Sequence, residues 1–102
     1  MILRDIAHVR TGDKGDISQI AVFAYRESDY PLLARVLTPR SVADHLGGLP
    51  VRSVRRYDLP TLAALSFVLD GALRGGVTRS LALDAHGKTL GAQLLDLVID
   101  PS

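Results

Sequence analysis

Apolar and polar residues recur along the chain with two different periods, which predict strands and helices in alternation. Residues 2–10 mix apolar residues with spaced charges and contain no glycine or proline, so we expect a strand with Leu3, Ala7 and Val9 on one face and His8 and Arg10 together on the other. Residues 17–25 are apolar on both faces, which is typical of a central strand. A short glycine-bearing segment separates the two runs, so they should form an antiparallel hairpin.

Two helical segments are predicted after the hairpin. Residues 30–47 should form one helical layer, bent or broken at Pro39, with Thr38 as N-cap before the proline and a glycine pair as the stop. A second helix is predicted from Pro60 to residues 75–76, because apolar residues recur there at intervals of three and four. Its apolar positions are Leu62, Leu65, Val68, Leu69, Ala72 and Leu73.

The remaining segments complete a sheet. Residues 51–58 predict an arginine-bearing edge strand, residues 77–84 a further strand, and residues 84–88 a turn. Residues 89–92 fit helix or strand, and residues 93–99 favour a final strand. This order predicts an α+β fold: a ferredoxin-like two-layer sandwich whose mostly antiparallel sheet carries two helices on one face.

Composition narrows the class of protein. The 102 residues, 47% hydrophobic and 23% charged, are those of a folded chain, and we expect a single domain over residues 1–102. The absence of cysteine excludes disulfides and thiolate metal sites. No apolar run approaches the roughly 18 residues of a membrane span, and the charged N-terminus lacks a signal-peptide pattern. We therefore expect a cytoplasmic protein that does not bind membranes.

Charge and side-chain chemistry exclude further classes. A formal net charge of +1 gives no overall attraction to nucleic acid or anionic lipid. With three tyrosines, two phenylalanines and no aromatic RNA-binding motif, we expect no nucleic-acid partner. The histidines at positions 8, 45 and 86 lack metal-ligand spacing, so we predict neither a metal site nor a cofactor.

Residues 11–16, with the sequence Thr-Gly-Asp-Lys-Gly-Asp, carry the strongest functional signal. Gly12 and Gly15 permit positive φ, so successive N–H groups could converge on an anion, and Lys14 would add a positive charge. The competing interpretation is a structural turn in which the two aspartates bind backbone N–H groups. The spacing leaves both interpretations open and lacks the pattern of a nucleotide P-loop.

Neighbouring residues extend this candidate site. The catalytic candidates are His8, Asp13, Lys14 and Asp16, with the imidazole as a general base near neutral pH. The candidates for ligand binding are Arg10, Gly12, Lys14, Gly15, Thr78 and Arg79. The last two lie in residues 75–80, where backbone donors, hydroxyls and a guanidinium could hold an anion. The alternative there is a helix stop followed by a solvated arginine.

Three strings carry a family resemblance: IAHVRTGDKGD at residues 6–16, FVLDGAL with GGVTRSL within residues 67–81, and LDAHGKTL at residues 83–90. Together they resemble the small C-terminal domain of acyclic terpene utilisation protein A, the AtuA-like ferredoxin-fold domain. The resemblance covers nearly the whole chain. It departs at Gln19 and Ser66, where asparagine is expected.

The resemblance implies a ferredoxin-like fold and a working relationship with a larger domain of bacterial terpenoid or acyl-CoA catabolism. We therefore expect an accessory or interaction domain that acts with a larger AtuA-type protein, with a second copy of itself, or both. A separate expectation, by analogy with the fold, is a structural homo-oligomer that associates through the edge at residues 51–58. The alternative is a small enzyme or binding protein for an anionic acyl or acyl-CoA-like ligand. Lys14, Arg10 or Arg79 would then hold the anion, and His8 or Asp16 would move a proton. No catalytic residue is transferred by the resemblance, so enzymatic activity is left open.

Overall fold

A computed structural model describes residues 1–14, 17–70 and 88–100, without the side chains of Asp13, Lys88 and Thr89, and the structural statements below concern those residues. The strands are β1 (Ala7–Lys14), β2 (Ile17–Ala24), β3 (Val54–Leu59) and β4 (Ala64–Asp70). The α-helices are α1 (Tyr30–Val36), α2 (Pro39–His45) and α3 (Lys88–Leu94).

The four strands form one antiparallel sheet in the order β1-β2-β4-β3. Thr11 lies opposite Ile20, which lies opposite Phe67, which in turn lies opposite Arg56. The predicted hairpin of β1 and β2 is thus confirmed, as is the central position of β2. The strand predicted over residues 51–58 is present as Val54–Leu59, after a 3₁₀ turn at Val51–Ser53, and it pairs with β4 alone among the described strands.

One face of the sheet packs against the helices and forms the core. The buried strand residues on this face are Ala7, Ile20, Val22, Val54, Leu65, Phe67 and Leu69. The helices contribute Leu33, Val42, Leu90 and Leu94, among others, to the same cluster. Burying one such side chain contributes roughly 1.5–3 kcal/mol, so this face supplies the main driving force for folding. The predicted α+β class is confirmed, and α1, α2 and α3 all contribute to the core on this face.

The break between α1 and α2 is built by local hydrogen bonds around Thr38 and Pro39. Thr38 Oγ1 accepts from the Ser41 N–H at 3.1 Å, and Ser41 Oγ accepts from the Thr38 N–H at 3.0 Å. Ser41 Oγ also donates to the Val36 carbonyl at 2.8 Å, which joins the end of α1 to the start of α2. Both the N-cap and the break at Pro39 are therefore confirmed.

The helix predicted from Pro60 is wrong. Pro60–Leu62 is a single 3₁₀ turn, and Ala63 follows in the left-handed region at φ 49° before β4 begins. In β4 the residues from Ala64 to Phe67 are all buried. A strand buried on both faces has apolar residues at successive positions, and some of these fall three and four apart without forming a helix.

The strand predicted over residues 93–99 is also wrong, because α3 continues to Leu94. Beyond it, the chain makes a single antiparallel bridge between Val98 and Ile2, outside the named strands. The Ile99 N–H donates to the Met1 carbonyl at 2.8 Å. Leu95, Leu97 and Ile99 therefore alternate because this segment lies along residues 1–4, and not because it is a strand of the described sheet.

The predicted boundary between strand and turn near residue 10 is wrong as well. Leu3–Asp5 is a 3₁₀ turn, and β1 starts only at Ala7 but continues through Lys14. Polar residues fit this stretch because β1 has one exposed face and, in the described sheet, one unpaired edge. The first four residues of the predicted turn are thus strand residues. The strand predicted over residues 77–84 and the first four residues of the turn predicted over residues 84–88 lie outside the described residues, and Lys88 begins α3.

Candidate anion-binding site on the open face of the sheet

The face of the sheet away from the helices is called the open face here. The alternation of strand residues and the register place on it His8, Arg10, Gly12 and Lys14 of β1; Ile17, Gln19, Ala21 and Phe23 of β2; Ala64, Ser66, Val68 and Asp70 of β4; and Arg55, Tyr57 and Leu59 of β3. The alternation of side chains along β1 therefore places the predicted residues Arg10, Gly12 and Lys14 on one surface.

Gly12 leaves an unfilled position in the open face. A Cβ atom added to Gly12 would meet no atom within 4 Å. A hollow of about 200 Å³ lies on each side of it, the first lined by Arg10, Thr11, Gly12, Gln19 and Ala21 and the second by Gly12, Lys14, Ile17 and Gln19. Since a water molecule occupies about 30 Å³ in the liquid, each hollow has room for a carboxylate or phosphate group.

Two positive charges flank this position. Arg10 and Lys14 are both exposed, and neither forms an ion pair within the part of the chain that the structure describes. With a rise of about 3.3 Å per residue, their Cα atoms straddle Gly12 over about 13 Å. Arg55 is the third described arginine or lysine of the open face, and Asp70 is its described acid. Asp70 lies across Ile17 from Lys14. Among the described side chains, the two that flank Gly12 along β1 on this face are therefore both positively charged.

Gln19 forms the wall between the two hollows and was missed as a site residue by the sequence interpretation. It lies directly opposite Gly12, and its Nε2 donates to Ser66 Oγ at 3.0 Å. Ser66 is only 6% exposed, so this bond anchors the Gln19 amide on β4. Gln19 and Ser66 are the two positions where the chain departs from the expected asparagines, so the departures touch each other. The only sign in the sequence that these two residues belong together is that both replace an asparagine expected from the family resemblance.

His8 belongs to an aromatic cluster at the other end of the open face. Its ring stacks on Phe23 at a centroid distance of 5.2 Å and on Tyr25 at 5.4 Å. The ring is exposed, and its backbone lies about 13 Å along β1 from Gly12. The structure thus groups Arg10, Gly12 and Lys14 around the hollows. His8 is the next open-face residue along β1 from Arg10 and lines neither hollow.

The other predicted site residues are not placed by the structure. Gly15, Asp16, Thr78 and Arg79 lie outside the described residues. The backbone of Asp13 pairs with Ser18, but its side chain is not described. Among the described residues, no three potential metal ligands come together, and no helix is long and apolar enough to cross a membrane.

A larger hollow of about 500 Å³ lies on the opposite side of the molecule, lined by Val36, Ser41, Asp44, His45, Leu97 and Val98. His45 Nε2 donates to the Gln93 carbonyl at 2.6 Å, so this histidine joins α2 to α3. Asp44 brings a negative charge, and neither lysine nor arginine lines the hollow. This hollow is therefore a poor site for an anion.

Arg56, on the core-facing side of β3, has a structural role. Its guanidinium donates to both carboxylate oxygens of Asp58, at 2.7 and 3.1 Å. Its Nη1 donates to the carbonyls of Ala34 and Leu37, at 2.7 and 3.0 Å, at the C-terminal end of α1. The hydrogen bond from Arg56 lowers the pKa of the Asp58 carboxyl below its usual value of 3.8. Arg56 therefore ties the edge strand to the helical layer.

Comparison with known proteins identifies one family. The family model described as AtuA ferredoxin-like domain matches residues 1–100. No curated protein and no solved structure matches the chain. The match spans both the sheet and the helices, so it covers every residue of the candidate site.

Proposed function

The chain belongs to the AtuA ferredoxin-like domain family, and within that family we propose that it acts as a small binding domain for an anionic ligand held on its open face. The observation that carries the proposal is the unfilled position at Gly12 between the exposed Arg10 and Lys14. The guanidinium of Arg10 and the ammonium of Lys14 suit a carboxylate or a phosphate, because hydrogen bonds between charged groups are stronger than those between neutral groups.

The magnitudes indicate that the anion supplies only part of the affinity. At about 4 Å, an opposite charge pair is worth about 1 kcal/mol in bulk water and about 4 kcal/mol at the effective dielectric constant of a partly enclosed protein surface. The hollows are open, so the smaller value applies to each cation. The side chain of Ile17, 40% exposed, adds an apolar wall beside Lys14. We therefore propose an anion that carries an apolar group, such as an acyl chain, next to its charge.

A second proposal is that the domain is an accessory partner of a larger AtuA-type protein of bacterial terpenoid or acyl-CoA catabolism. Exposed apolar side chains on the open face support it: Ile17 is 40%, Tyr57 49% and Leu59 37% exposed. A partner that covered this face would bury these side chains and close the hollows. Closing them would exclude water and strengthen the attraction of Arg10 and Lys14 for the anion.

Thermal unfolding in the presence of phosphate, short and medium fatty carboxylates, and coenzyme A thioesters tests the first proposal. A ligand at 100 times its dissociation constant should add about 2.7 kcal/mol to the free energy of unfolding. Gly12→Leu should abolish the shift by filling both hollows. Arg10→Gln or Lys14→Gln should each weaken binding by about fivefold to tenfold, which corresponds to roughly 1 kcal/mol.

Arg40→Gln is the matched control, because Arg40 is an exposed arginine of α2 far from the open face. It removes the same charge and should leave binding intact. If no anion shifts the unfolding temperature, the binding proposal fails. It also fails if Arg40→Gln weakens binding as much as Arg10→Gln does.

Co-expression with a large AtuA-type protein, followed by size-exclusion chromatography, tests the second proposal. The two chains should co-elute, and Ile17→Ser should separate them. Val98→Ser is the control, since Val98 is 75% exposed and lies away from the open face. Independent elution of the wild-type chains at micromolar concentration would contradict the association.

A further inference from the structure

The outer edge of β3 ends the described sheet. β3 pairs with β4 on one side, and no described strand lies on the other. Its second half is exposed, including Tyr57 at 49% and Leu59 at 37%. An unpaired edge strand presents backbone N–H and C=O groups that can pair with another strand.

We propose that two copies of the chain pair through β3 in antiparallel fashion, with Tyr57 opposite the partner's Tyr57, so that the sheet continues across both copies. A two-fold axis normal to the sheet keeps each face on its own side, so one residue of β3 must lie opposite its own copy. This residue, called the centre below, lies at the two-fold axis. Its identity decides which side chains face each other across the new pair of strands.

The sequence of β3 favours Tyr57 as this centre. Centres at Arg55, Arg56 or Asp58 would each place a charged residue directly opposite its own copy, which is destabilising. Centres at either end of the strand would run the pairing into the flanking 3₁₀ turns, Val51–Ser53 and Pro60–Leu62, where the ladder cannot continue.

With Tyr57 at the centre, the facing residues complement each other. On the core-facing side, Arg56 lies opposite the partner's Asp58, and Asp58 opposite the partner's Arg56. Because Arg56 already binds Asp58 within one copy, the four groups alternate in charge around the axis. On the open face, the two tyrosines form an aromatic pair, and Arg55 lies opposite the partner's Leu59. Each Tyr57 ring is then partly covered by the partner's Tyr57, and each Leu59 by the partner's Arg55.

The open faces of both copies point to the same side of the continuous sheet, because the two-fold axis is normal to the sheet. The hollows beside Gly12 in each copy would then lie on one shared surface. Strand pairing over one short edge covers a small area, so we expect a weak dimer that forms at high micromolar concentration.

Single-cysteine variants test the register, because the chain has no cysteine of its own. Tyr57→Cys should form a disulfide-linked dimer under mild oxidation, since directly opposed Cβ atoms lie about 4.5–5.5 Å apart, close to the disulfide range. Arg55→Cys is the matched control on the same face of the same strand. In this register its two copies are separated by about 13 Å along the strands and should not cross-link.

Sedimentation of the cysteine-free chain gives an independent test. The wild type should approach twice the monomer mass as its concentration rises to hundreds of micromolar, whereas Tyr57→Lys should stay monomeric because like charges would meet at the axis. Mixing Tyr57→Lys with Tyr57→Glu should restore the dimer. A monomeric wild type would overturn the proposal. So would cross-linking of Arg55→Cys as fast as Tyr57→Cys, or the absence of cross-linking in both.

Discussion

Helix α3 approaches β1 closely at Gly91, where an added methyl group would collide with two side chains of the strand. A Cβ atom on Gly91 would lie 2.5 Å from Thr11 Cγ2 and 3.4 Å from Val9 Cγ2. Carbon atoms pack best at about 3.5–4.0 Å, so the first contact would be about 1 Å too short. Thr11 is β-branched and restricted about χ1, so its methyl group cannot easily turn aside.

Two opposing effects decide the outcome of Gly91→Ala. Alanine in place of glycine in a helix interior adds up to about 1 kcal/mol through helix propensity. Overpacking a well-filled core typically costs about 1–3 kcal/mol. Because the contact at 2.5 Å is far below the packing optimum, the overpacking cost should dominate. We expect Gly91→Ala to lower the free energy of unfolding by about 1–2 kcal/mol.

Urea denaturation followed by circular dichroism measures this change. Thr11→Ser removes the offending methyl group and leaves the Thr11 Cβ at 4.0 Å, so the double variant should recover most of the loss relative to Thr11→Ser alone. Gly12→Ala is the control, because open space surrounds that position and a glycine in a strand costs about 0.5–1 kcal/mol. If Gly91→Ala stabilised the protein, or Thr11→Ser gave no rescue, the packing of α3 on β1 would be refuted.

Two further predictions concern single polar side chains. Ser18 Oγ is buried and has no hydrogen-bond partner among the described atoms, which leave out the side chain of Asp13 opposite it. Ser18→Ala should therefore raise the free energy of unfolding by about 1 kcal/mol, and a clear loss in urea denaturation would contradict this. The pKa of Asp58 is lowered by the hydrogen bond from Arg56, so this pair stabilises the fold above the ordinary value of 3.8 and stops doing so as the pH falls through the lowered pKa. Asp58→Asn should therefore flatten the acid dependence of unfolding, and an NMR titration of Asp58 with a midpoint at or above 3.8 would refute the assignment.

Local signals predicted part of the fold. Thr38 and Pro39 specify a helix start through contacts within three residues, so the break between α1 and α2 could be foreseen from the sequence. Residues 17–25 revealed a central strand because both faces are apolar. By contrast, β4 also has both faces buried, yet its leucines happened to recur at helical intervals. Only its pairing with β2 and β3, which the local pattern does not encode, distinguishes the two structures.

The candidate site was predictable along β1 but not across the sheet. Arg10, Gly12 and Lys14 alternate on one strand, so their common face follows from the period of two once β1 extends to Lys14. The role of Gln19 depends on the register that sets it opposite Gly12. Arg56 likewise donates to the carbonyl of Ala34, which lies 22 residues earlier in the chain, and no local sequence pattern predicts this contact.

The central claim is that the open face at Gly12 binds an anion, and an NMR titration tests it most directly. Adding a medium-chain fatty carboxylate to the ¹⁵N-labelled chain should give saturable shifts at the amides of Gly12, Gln19 and Ala21, and Gly12→Leu should abolish them. The amides near Ser41 and Val98, beside the larger hollow, should not respond. Absence of saturable shifts at Gly12, or shifts confined to the larger hollow, would contradict the claim.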